Sequence, residues 1–298
     1  MNQLAVEFVG VAKRYPHFNL DHIDLALPTG SVMGFIGANG AGKSTTLRIL
    51  MGLIHQDQGK VTVLGADMPG GQVRAKRDIG YVSEDMRLYQ TATLEWHMRF
   101  IASVYPTWDE IYAQHLAQRF DLKPVQKVKG LSHGQRVKAA LLLVLARRPK
   151  LLVLDEPTTG LDPVARQEVL GALMEALADE ERTILFSSHN TLDVEQISDQ
   201  ITFIDRGRII DSADKESFLE RWRRLRLDLP TTTPLPQMAG TVAVNRSGRT
   251  TVITTRQYEP ALLAACQQLG ASVLGVDSLS LEEIFVADIQ SRREGTRS

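Results

Sequence analysis

The sequence contains a single cysteine and almost no net charge, and both scarcities narrow the possible functions. One thiol, Cys266, excludes an intrachain disulfide framework and agrees with a reducing cytoplasm. Its neighbours Ala264 and Ala265 predict a buried helix position rather than a reactive site. The 34 basic and 35 acidic residues leave a net charge of −1, which argues against bulk electrostatic adhesion to nucleic acid or anionic lipid. We therefore expect no nucleic-acid partner.

Long hydrophobic runs are also missing. The longest apolar run, residues 139–146, is far shorter than the ~20 residues that a membrane-spanning helix needs. Residues 1–10 lack the basic start and the apolar stretch of a signal peptide. The sequence predicts a soluble protein, and if this protein works on a membrane, another chain has to span the bilayer.

The chain has 298 residues, of which 43% are hydrophobic, enough for one large domain and a small second one. The segments 32–36, 151–154 and 183–186 are nearly all apolar, which is typical of strands that are covered on both faces. A helical segment, 163–178, separates the last two strands. This strand–helix–strand succession predicts a parallel sheet.

Between the first two of these strands the pattern turns helical. Two helices are predicted within 88–120, with an interruption at Pro106 and with Asp109 as the cap of the second helix. A third, strongly apolar helix begins near residue 131 and runs to about residue 146, before Pro149.

A domain boundary is predicted at 222–232, where an arginine-rich stretch meets a segment of proline and threonine. The first domain then covers 1–222, with a helical subdomain at about 85–148. Beyond the boundary, a hairpin pattern is followed by a helix, a strand and a second helix. These elements predict a small α+β accessory domain at 233–290.

A complete P-loop, from Gly37 to Ser44, lies between a predicted strand and a predicted helix. Its glycines let backbone N–H groups wrap phosphates, and the positive end of the helix adds to that field. We expect Lys43 to reach the β- and γ-phosphates of ATP, and the hydroxyl of Ser44 to bind Mg²⁺. The predicted nucleotide contacts of the loop are Gly37, Asn39, Gly40, Ala41, Gly42, Lys43, Ser44 and Thr45.

Two carboxylates follow the apolar segment that ends at Leu154. Asp155 is suited to hold Mg²⁺ through a water, and Glu156 to polarise the water that attacks the γ-phosphate. The alternative is that Glu156 only caps the next turn. Many strands end in Asp, so the segment alone is a weak signal, but together with an intact P-loop it predicts ATP hydrolysis.

Another motif, shortly before these carboxylates, consists of Leu131, Ser132, His133, Gly134 and Gln135. It resembles the signature of the ABC (ATP-binding cassette) ATPases. The segment 159–162, which ends at Asp162, resembles the D-loop of that family, and His189 resembles the switch histidine that contacts the γ-phosphate. Tyr15 is placed like the aromatic residue that stacks on adenine. These motifs follow the family's order along the chain.

The resemblance implies an α/β fold with a P-loop NTPase core. Its expected parts are a parallel-sheet ATPase lobe, an antiparallel β subdomain and a helical subdomain that carries the signature. It also implies a head-to-tail dimer, expected to be a homodimer, in which Ser132 and Gly134 contact the γ-phosphate held by the other subunit. A helix N-terminus after a small hydroxyl residue is chemically suited to bind such an anion.

Two positions depart from the common pattern of the family. His133 replaces the first glycine of the signature pair, at a position that tolerates change, so little cost is expected. Glu84 stands where the family usually has glutamine. A carboxylate adds a negative charge beside the phosphates, which strengthens Mg²⁺ binding or favours a more open, water-filled state. The alternative is a flexible loop in which Glu84 touches the metal only after closure.

The C-terminal segment 280–285 looks like that of ATPases that serve type-2 exporters. This resemblance implies a separate transmembrane permease chain and a peripheral location on the cytoplasmic face of the membrane. The predicted docking region for that permease is 84–120, with the apolar candidates Met86, Leu88, Tyr89, Trp96, Met98 and Phe100.

Two rival functions stay open on the sequence. One is a soluble ABC ATPase that acts on DNA or ribosomes, although the sequence contains no CxxC motif and one P-loop only. The other is a regulatory nucleotide-binding protein without turnover, which the intact Glu156 and His189 disfavour. A phosphate-release assay separates the second rival from an active ATPase.

Overall fold

The computed structural model describes residues 3–177, 182–231, 233 and 239–295, and the chain divides into two compact units, Met1–Ser212 and Ala213–Ser298. The strands are, in chain order, β1 (Leu4–Tyr15), β2 (Phe18–Pro28), β3 (Val32–Ile36), β4 (Gln58–Val63), β5 (Ala66–Met68), β6 (Ile79–Ser83), β7 (Leu151–Asp155), β8 (Thr183–Ser188), β9 (Gln200–Asp205), β10 (Arg208–Asp214), β11 (Arg223–Asp228), β12 (Thr241–Ser247), β13 (Thr250–Thr255) and β14 (Ser272–Ser278). The helices are α1 (Lys43–Leu50), α2 (Gln72–Ala75), α3 (Leu94–Val104), α4 (Glu110–Arg119), α5 (His133–Leu145), α6 (Pro163–Leu177), α7 (Thr191–Ile197), α8 (Lys215–Arg221), α9 (Pro260–Gln268) and α10 (Leu281–Gly295).

The larger sheet of the first unit has the strand order β10-β9-β3-β8-β7-β6. Strand β3 pairs in parallel with β8 and β9, and β7 pairs in parallel with β6 and β8. Every residue of β3, β7 and β8 is buried, which is why these strands read as continuous apolar runs. The predicted parallel sheet is confirmed. The carboxyl ends of its parallel strands lie at one edge, where ligands usually bind in open α/β sheets.

A second, antiparallel sheet of the first unit has the order β2-β1-β4-β5. Strands β1 and β2 form a hairpin in which Tyr15 pairs with Phe18. One hydrophobic core joins the two sheets, because buried side chains such as Phe8, Phe35 and Leu47 pack together from β1, β3 and α1. The antiparallel β subdomain implied by the family resemblance is therefore present.

Helices α3, α4 and α5 form the helical region, and a side-chain cap begins each of them. The hydroxyl of Thr93 accepts a hydrogen bond from the Trp96 N–H, and Asp109 Oδ1 accepts one from the Tyr112 N–H at 2.9 Å. The predicted cap at Asp109 is confirmed. Such caps satisfy N–H groups that have no partner inside the helix.

The second unit contains an antiparallel sheet with the order β12-β13-β11-β14. Its core includes the leucines of β11 together with Ile253 and Cys266. Cys266 is buried on α9, as predicted, and burial raises the pKa of its thiol. The predicted hairpin of β12 and β13 is confirmed, and the last helix, α10, ends at Gly295.

Strand β11 corrects the predicted boundary at 222–232. It lies in the middle of the second unit's sheet, paired with β13 and β14, and Trp222 before it is fully buried. The arginines of this segment hid an alternation in which Leu225 and Leu227 face the core. Residues 234–238, which belong to the predicted accessory domain, lie outside the described residues.

No helix among the described residues is both long enough and apolar enough to cross a membrane.

Candidate functional site

The loop between β3 and α1 has the backbone shape that its glycines predict. Gly42 adopts a φ of +114° immediately before α1, and a Cβ there would lie 2.6 Å from Leu20 Cδ2. A Cβ on Gly37 would lie 2.6 Å from the Ile204 carbonyl oxygen. Side chains are excluded at both positions, so the loop backbone stays close to the sheet and its N–H groups stay available to an anion.

Lys43 is the first residue of α1 and is almost completely buried. Its Nζ donates a hydrogen bond to the Gly37 carbonyl at 2.6 Å and lies 3.1 Å from Glu156 Oε1. The ammonium therefore lies over the loop, at the positive end of a helix. Loop, helix end and ammonium together make a site that favours phosphate.

The ends of β7 and β8 hold the two carboxylates. Ser187 Oγ donates to Asp155 Oδ1 at 2.7 Å and accepts a hydrogen bond from the Glu156 N–H at 3.1 Å. Glu156 has a φ of +54°, a left-handed conformation that is uncommon for a residue with a side chain. Such strain clusters at functional sites, where the surrounding contacts have to hold it.

The Glu156 carboxylate lies among three other side chains. Its Oε2 accepts hydrogen bonds from His189 Nδ1 at 2.7 Å and from Thr159 Oγ1 at 3.0 Å, and its Oε1 lies beside the Lys43 ammonium. These contacts exceed what a turn cap requires, so the alternative role of Glu156 as a cap only is not supported.

Burial and charge act on the Glu156 carboxyl in opposite directions. Burial raises the pKa of Glu156, but the charge of the Lys43 ammonium and hydrogen bonds from Lys43 and His189 outweigh it, so that the pKa lies below its ordinary value. Glu156 is thus a carboxylate at neutral pH and accepts hydrogen bonds only. His189 Nδ1 therefore carries the hydrogen of their contact.

Two of the three residues predicted to bind Mg²⁺ line the same cavity. Asp155 and Glu84 line one cavity of about 360 Å³, and Ser83 is the β6 partner of Asp155 across the sheet. Ser44 is the second residue of α1, after Lys43. Among the described residues, no group of three or more His, Cys, Asp or Glu side chains forms a metal site by itself. Two carboxylates and a hydroxyl nevertheless fit Mg²⁺ at a nucleotide site, because Mg²⁺ takes its other oxygen ligands from water and phosphates.

The signature motif forms the beginning of α5. Ser132 Oγ accepts a hydrogen bond from the Gln135 N–H, and the Ser132 N–H donates to Gln135 Oε1 at 2.9 Å, a reciprocal capping box. Leu131 is buried, whereas Ser132 and His133 are exposed. An exposed hydroxyl at a helix N-terminus is suited to an anion from another molecule.

The D-loop segment lies against this helix start. His133 Nε2 lies 3.1 Å from the Thr159 carbonyl oxygen, and a Cβ on Gly134 would lie 3.6 Å from Leu161 Cδ2. Asp162 Oδ1 accepts hydrogen bonds from two backbone N–H groups, both at 2.9 Å, and so caps α6. The side chain of Asp162 is used within its own chain.

Tyr15 lies on the hairpin next to the phosphate loop. Its ring centroid is 6.5 Å from that of Phe18, and a Cβ on Gly42 would lie 2.9 Å from Phe18 Cζ. Lys13 Nζ lies 5.7 Å from the Tyr15 ring centroid, and the ring is partly exposed. The exposed face of Tyr15 is therefore available beside the loop.

Sequence reasoning missed the side chains of Ser187 and Thr159. Ser187 holds Asp155 and the Glu156 backbone, and Thr159 holds the Glu156 carboxylate. A signal for Ser187 existed, because its hydroxyl lies in the buried strand β8 and a buried hydroxyl has to find a partner.

Comparison with known proteins identifies the family. A family model described as ABC transporter matches residues 20–159. The Nod factor export ATP-binding protein I of Rhizobium johnstonii is 31% identical over 230 residues, which cover 74% of this chain and 72% of that protein. The chain belongs to the ABC transporter family. This ABC protein binds and hydrolyses ATP.

Two further comparisons extend the likeness of this ABC ATPase. The ABC transporter ATP-binding protein YtrB of Bacillus subtilis is 26% identical over 275 residues, which cover 92% of this chain and 94% of that protein. The match therefore includes most of the second unit. A solved structure of the ATP-binding subunit of an ABC transporter has a TM-score of 0.66 at 26% identity, and covers 72% of this chain and 92% of that one.

Proposed function

We propose that this ABC ATPase drives an exporter, as a head-to-tail homodimer bound to a separate membrane-spanning permease at the cytoplasmic face of the membrane. The observation that carries the proposal is the contact of Glu156 with both Lys43 and His189, since it unites a carboxylate, a switch histidine and the phosphate loop. Membership of the family identifies ATP as the energy source.

Glu156 is the general base in this proposal. Because its pKa is lowered, Glu156 is ionised at neutral pH and can take a proton from the attacking water. Phosphate oxygens of ATP compete with Glu156 for the Lys43 ammonium. On ATP binding, phosphate oxygens replace Glu156 as the anionic partner of Lys43, so that Glu156 Oε1 can contact water. Lys43 and His189 then stabilise the charge that develops on the γ-phosphate.

The nucleotide lies along the P-loop, with adenine on the exposed ring of Tyr15. Stacking on an aromatic ring suits any base, because every base has a π-face. The loop residues proposed to hold the phosphates are Gly37, Asn39, Gly40, Ala41, Gly42, Lys43, Ser44 and Thr45.

Mg²⁺ would be held by the Ser44 hydroxyl, by Asp155 and by Glu84. The ion, when bound, neutralises negative charge on the β- and γ-phosphates. Ser187 donates a hydrogen bond to Asp155 Oδ1 and so helps to hold this carboxylate at the end of β7. Glu84 offers a charged oxygen where glutamine would offer a neutral one, and its presence in the same cavity as Asp155 supports the assignment.

The second ATP-binding subunit completes each site. Leu131, Ser132, His133, Gly134 and Gln135 form the start of α5, which seats its exposed N-terminus on the γ-phosphate bound by the opposite P-loop. The D-loop, with Asp162 at its end, follows Glu156 in the same chain and lies at that interface. Two identical chains related by a two-fold axis make two equivalent sites. ATP thereby stabilises the closed pair by differential binding.

The docking surface for the permease, here called the aromatic surface, consists of Tyr89, Trp96 and Phe100. The rings of Trp96 and Phe100 stack at 5.4 Å, Tyr89 packs edge-on against Trp96, and all three are exposed. His97 fixes the Tyr89 backbone, since its Nε2 accepts the Tyr89 N–H at 3.0 Å. Exposed apolar rings in one patch suit a protein partner.

Two of the apolar residues predicted to contact the permease are less exposed than the aromatic surface. Met98 is buried, because it lies two residues from Trp96 along α3 and therefore on the inner face of the helix. Leu88 is half-buried. Met86 is exposed and stays a candidate for contact with the permease.

Export is supported by the relative from Rhizobium johnstonii, whose name contains export, and by the C-terminal resemblance to type-2 exporter ATPases. The same name disfavours the rival role on DNA or ribosomes. One purification tests both the presence of a permease and the direction of transport.

The test uses the full chain with the substitution Glu156→Gln, tagged and trapped with ATP. We expect ATP turnover to fall by roughly 10²–10⁴-fold while ATP binding is kept, because the base is lost and the phosphate loop is not. Glu216→Gln, at an exposed position of α8, is the matched control and keeps full turnover. The trapped protein is then purified from detergent-solubilised membranes of the native cells.

A multi-span membrane protein in stoichiometric amount supports the proposal, and its class indicates export or import. Recovery of the trapped protein with ribosomes or DNA, or as a dimer without any membrane protein, contradicts the transporter assignment. Undiminished turnover of Glu156→Gln would remove Glu156 from the role of base.

A further inference from the structure

His133 makes a contact that a glycine at its position could not make. Its Nε2 lies 3.1 Å from the Thr159 carbonyl oxygen. A carbonyl oxygen only accepts, so His133 Nε2 carries the hydrogen and donates it. The ring also lies close to the loop, because a Cβ on Gly160 would be 3.2 Å from the same nitrogen.

Thr159 connects this histidine to Glu156. While its carbonyl accepts from His133, its hydroxyl donates to Glu156 Oε2 at 3.0 Å. His133, Thr159 and Glu156 line the same cavity of about 360 Å³. One residue thus joins the signature end of α5 to the carboxylate through two hydrogen bonds in series.

Other contacts keep α5 and the segment after Glu156 together. A Cβ on Gly134 would lie 3.7 Å from Ala165 Cβ, so the helix start packs against the start of α6. Further along, Lys138 and Glu168 form an ion pair between α5 and α6. A displacement of the start of α5 is therefore passed to the loop that contains Thr159, because packed elements move together.

We propose that His133 is a positioning residue, which acts through Thr159 to hold the Glu156 carboxylate. This inference rests on the proposed function, in which the signature serves the partner's ATP and Glu156 serves the ATP of its own chain. The His133–Thr159–Glu156 series then links the two ATP sites inside one chain. Seating of the signature on one nucleotide orients the base at the other.

The test measures ATP turnover against ATP concentration for the full chain and for three variants, His133→Gly, Thr159→Val and the double variant. Each single variant is expected to lower kcat roughly 2- to 10-fold, the effect of one hydrogen bond, with KM unchanged. The double variant is expected to be no slower than the slower single variant, because both substitutions break one series. His133→Gln keeps a donor and is expected to recover part of kcat.

Glu110→Gly is the matched control, since it places glycine at the exposed first residue of α4 and leaves kcat unchanged. An unchanged kcat in His133→Gly, or a double variant whose loss is the product of the single losses, would overturn the positioning role alone. A raised KM with unchanged kcat would also overturn it, because His133 would then act on ATP binding. Absence of hydrolysis by the unmodified chain would overturn the proposed function, and the inference with it.

Discussion

Among single residues, Glu156 shows how neighbours rather than sequence set the chemistry of a side chain. Its carboxylate is mostly buried, which alone would favour the protonated form, yet the Lys43 ammonium at 3.1 Å reverses that preference. Glu156 is therefore ionised at neutral pH, as its proposed role of base requires. The same ion pair stabilises the fold at neutral pH, and this contribution is lost as the pH falls below 4.5 through the lowered pKa of Glu156.

Replacement of Lys43 by methionine tests this balance. We expect the pKa of Glu156 to rise, because burial remains and the opposing positive charge is gone. Carboxyl ¹³C NMR titration without nucleotide measures it, with Glu156→Gln to identify the signal. Lys123→Met, at an exposed position, should leave that pKa unchanged. A Glu156 pKa that is equal in Lys43→Met and in the unmodified chain would contradict the ion pair as the cause.

Departures from the family pattern also belong to this scale. The change from glycine to His133 is predicted to cost little, and His133 contacts the Thr159 carbonyl in the structure. Glu84 lies exposed in the cavity that Asp155 also lines, which supports its proposed contact with Mg²⁺ and agrees with its position in a loop after β6. Both departures concern side chains that face the region between α5 and the carboxylates.

Among the elements, α5 combines two demands at its N-terminus. The capping box of Ser132 and Gln135 satisfies the first N–H groups of the helix, while the exposed position of Ser132 leaves its hydroxyl hydrogen available to a phosphate. A bulky cation at this point would fill space that the proposed second subunit needs.

Ser132→Arg is therefore expected to prevent ATP-driven dimerisation, while the monomer still binds ATP through its own P-loop. Sizing chromatography of the Glu156→Gln form with ATP measures the dimer, and a fluorescent ATP analogue measures binding. Ser247→Arg, on β12 of the second unit, is the control and keeps the dimer. A normal ATP-dependent dimer of Ser132→Arg would count against the shared site.

Helix α3 separates its apolar residues into two faces. Trp96 and Phe100 are four residues apart and share the outer face, whereas Met98 is buried on the inner one. The composition of the segment alone does not distinguish the exposed apolar residues from the buried one. The helix period decides which of them a partner can reach.

For the whole molecule, the aromatic surface is proposed to carry the link to the permease. Trp96→Glu should abolish recovery of the membrane partner with the trapped subunit, because a charge replaces an apolar contact, while ATP turnover of the isolated chain persists. Val73→Glu is the matched control, since Val73 is 73% exposed on α2 and lies outside the predicted docking region 84–120. Full recovery of the permease with Trp96→Glu would contradict the proposed docking.

Local features of this protein could be predicted from the sequence alone. Residues that are close in the chain form the P-loop, the buried strands, the cap at Asp109 and the helix start at the signature. Their spacing and backbone preferences can be recognised without knowledge of the fold. The family follows from the order of these motifs. Strand β11 also has a local signal, because its leucines alternate with arginines. The arginine-rich composition nevertheless favours the interpretation of a domain boundary.

The contacts between groups that are distant in the chain depend on the tertiary structure. Lys43, Thr159 and His189 converge on Glu156 because β3, β7 and β8 are neighbours in one parallel sheet and end at the same edge. The contact of His133 with Thr159 likewise depends on how α5 packs against α6. Such contacts result from packing between elements, whereas sequence patterns report the period and the local preferences of each element alone.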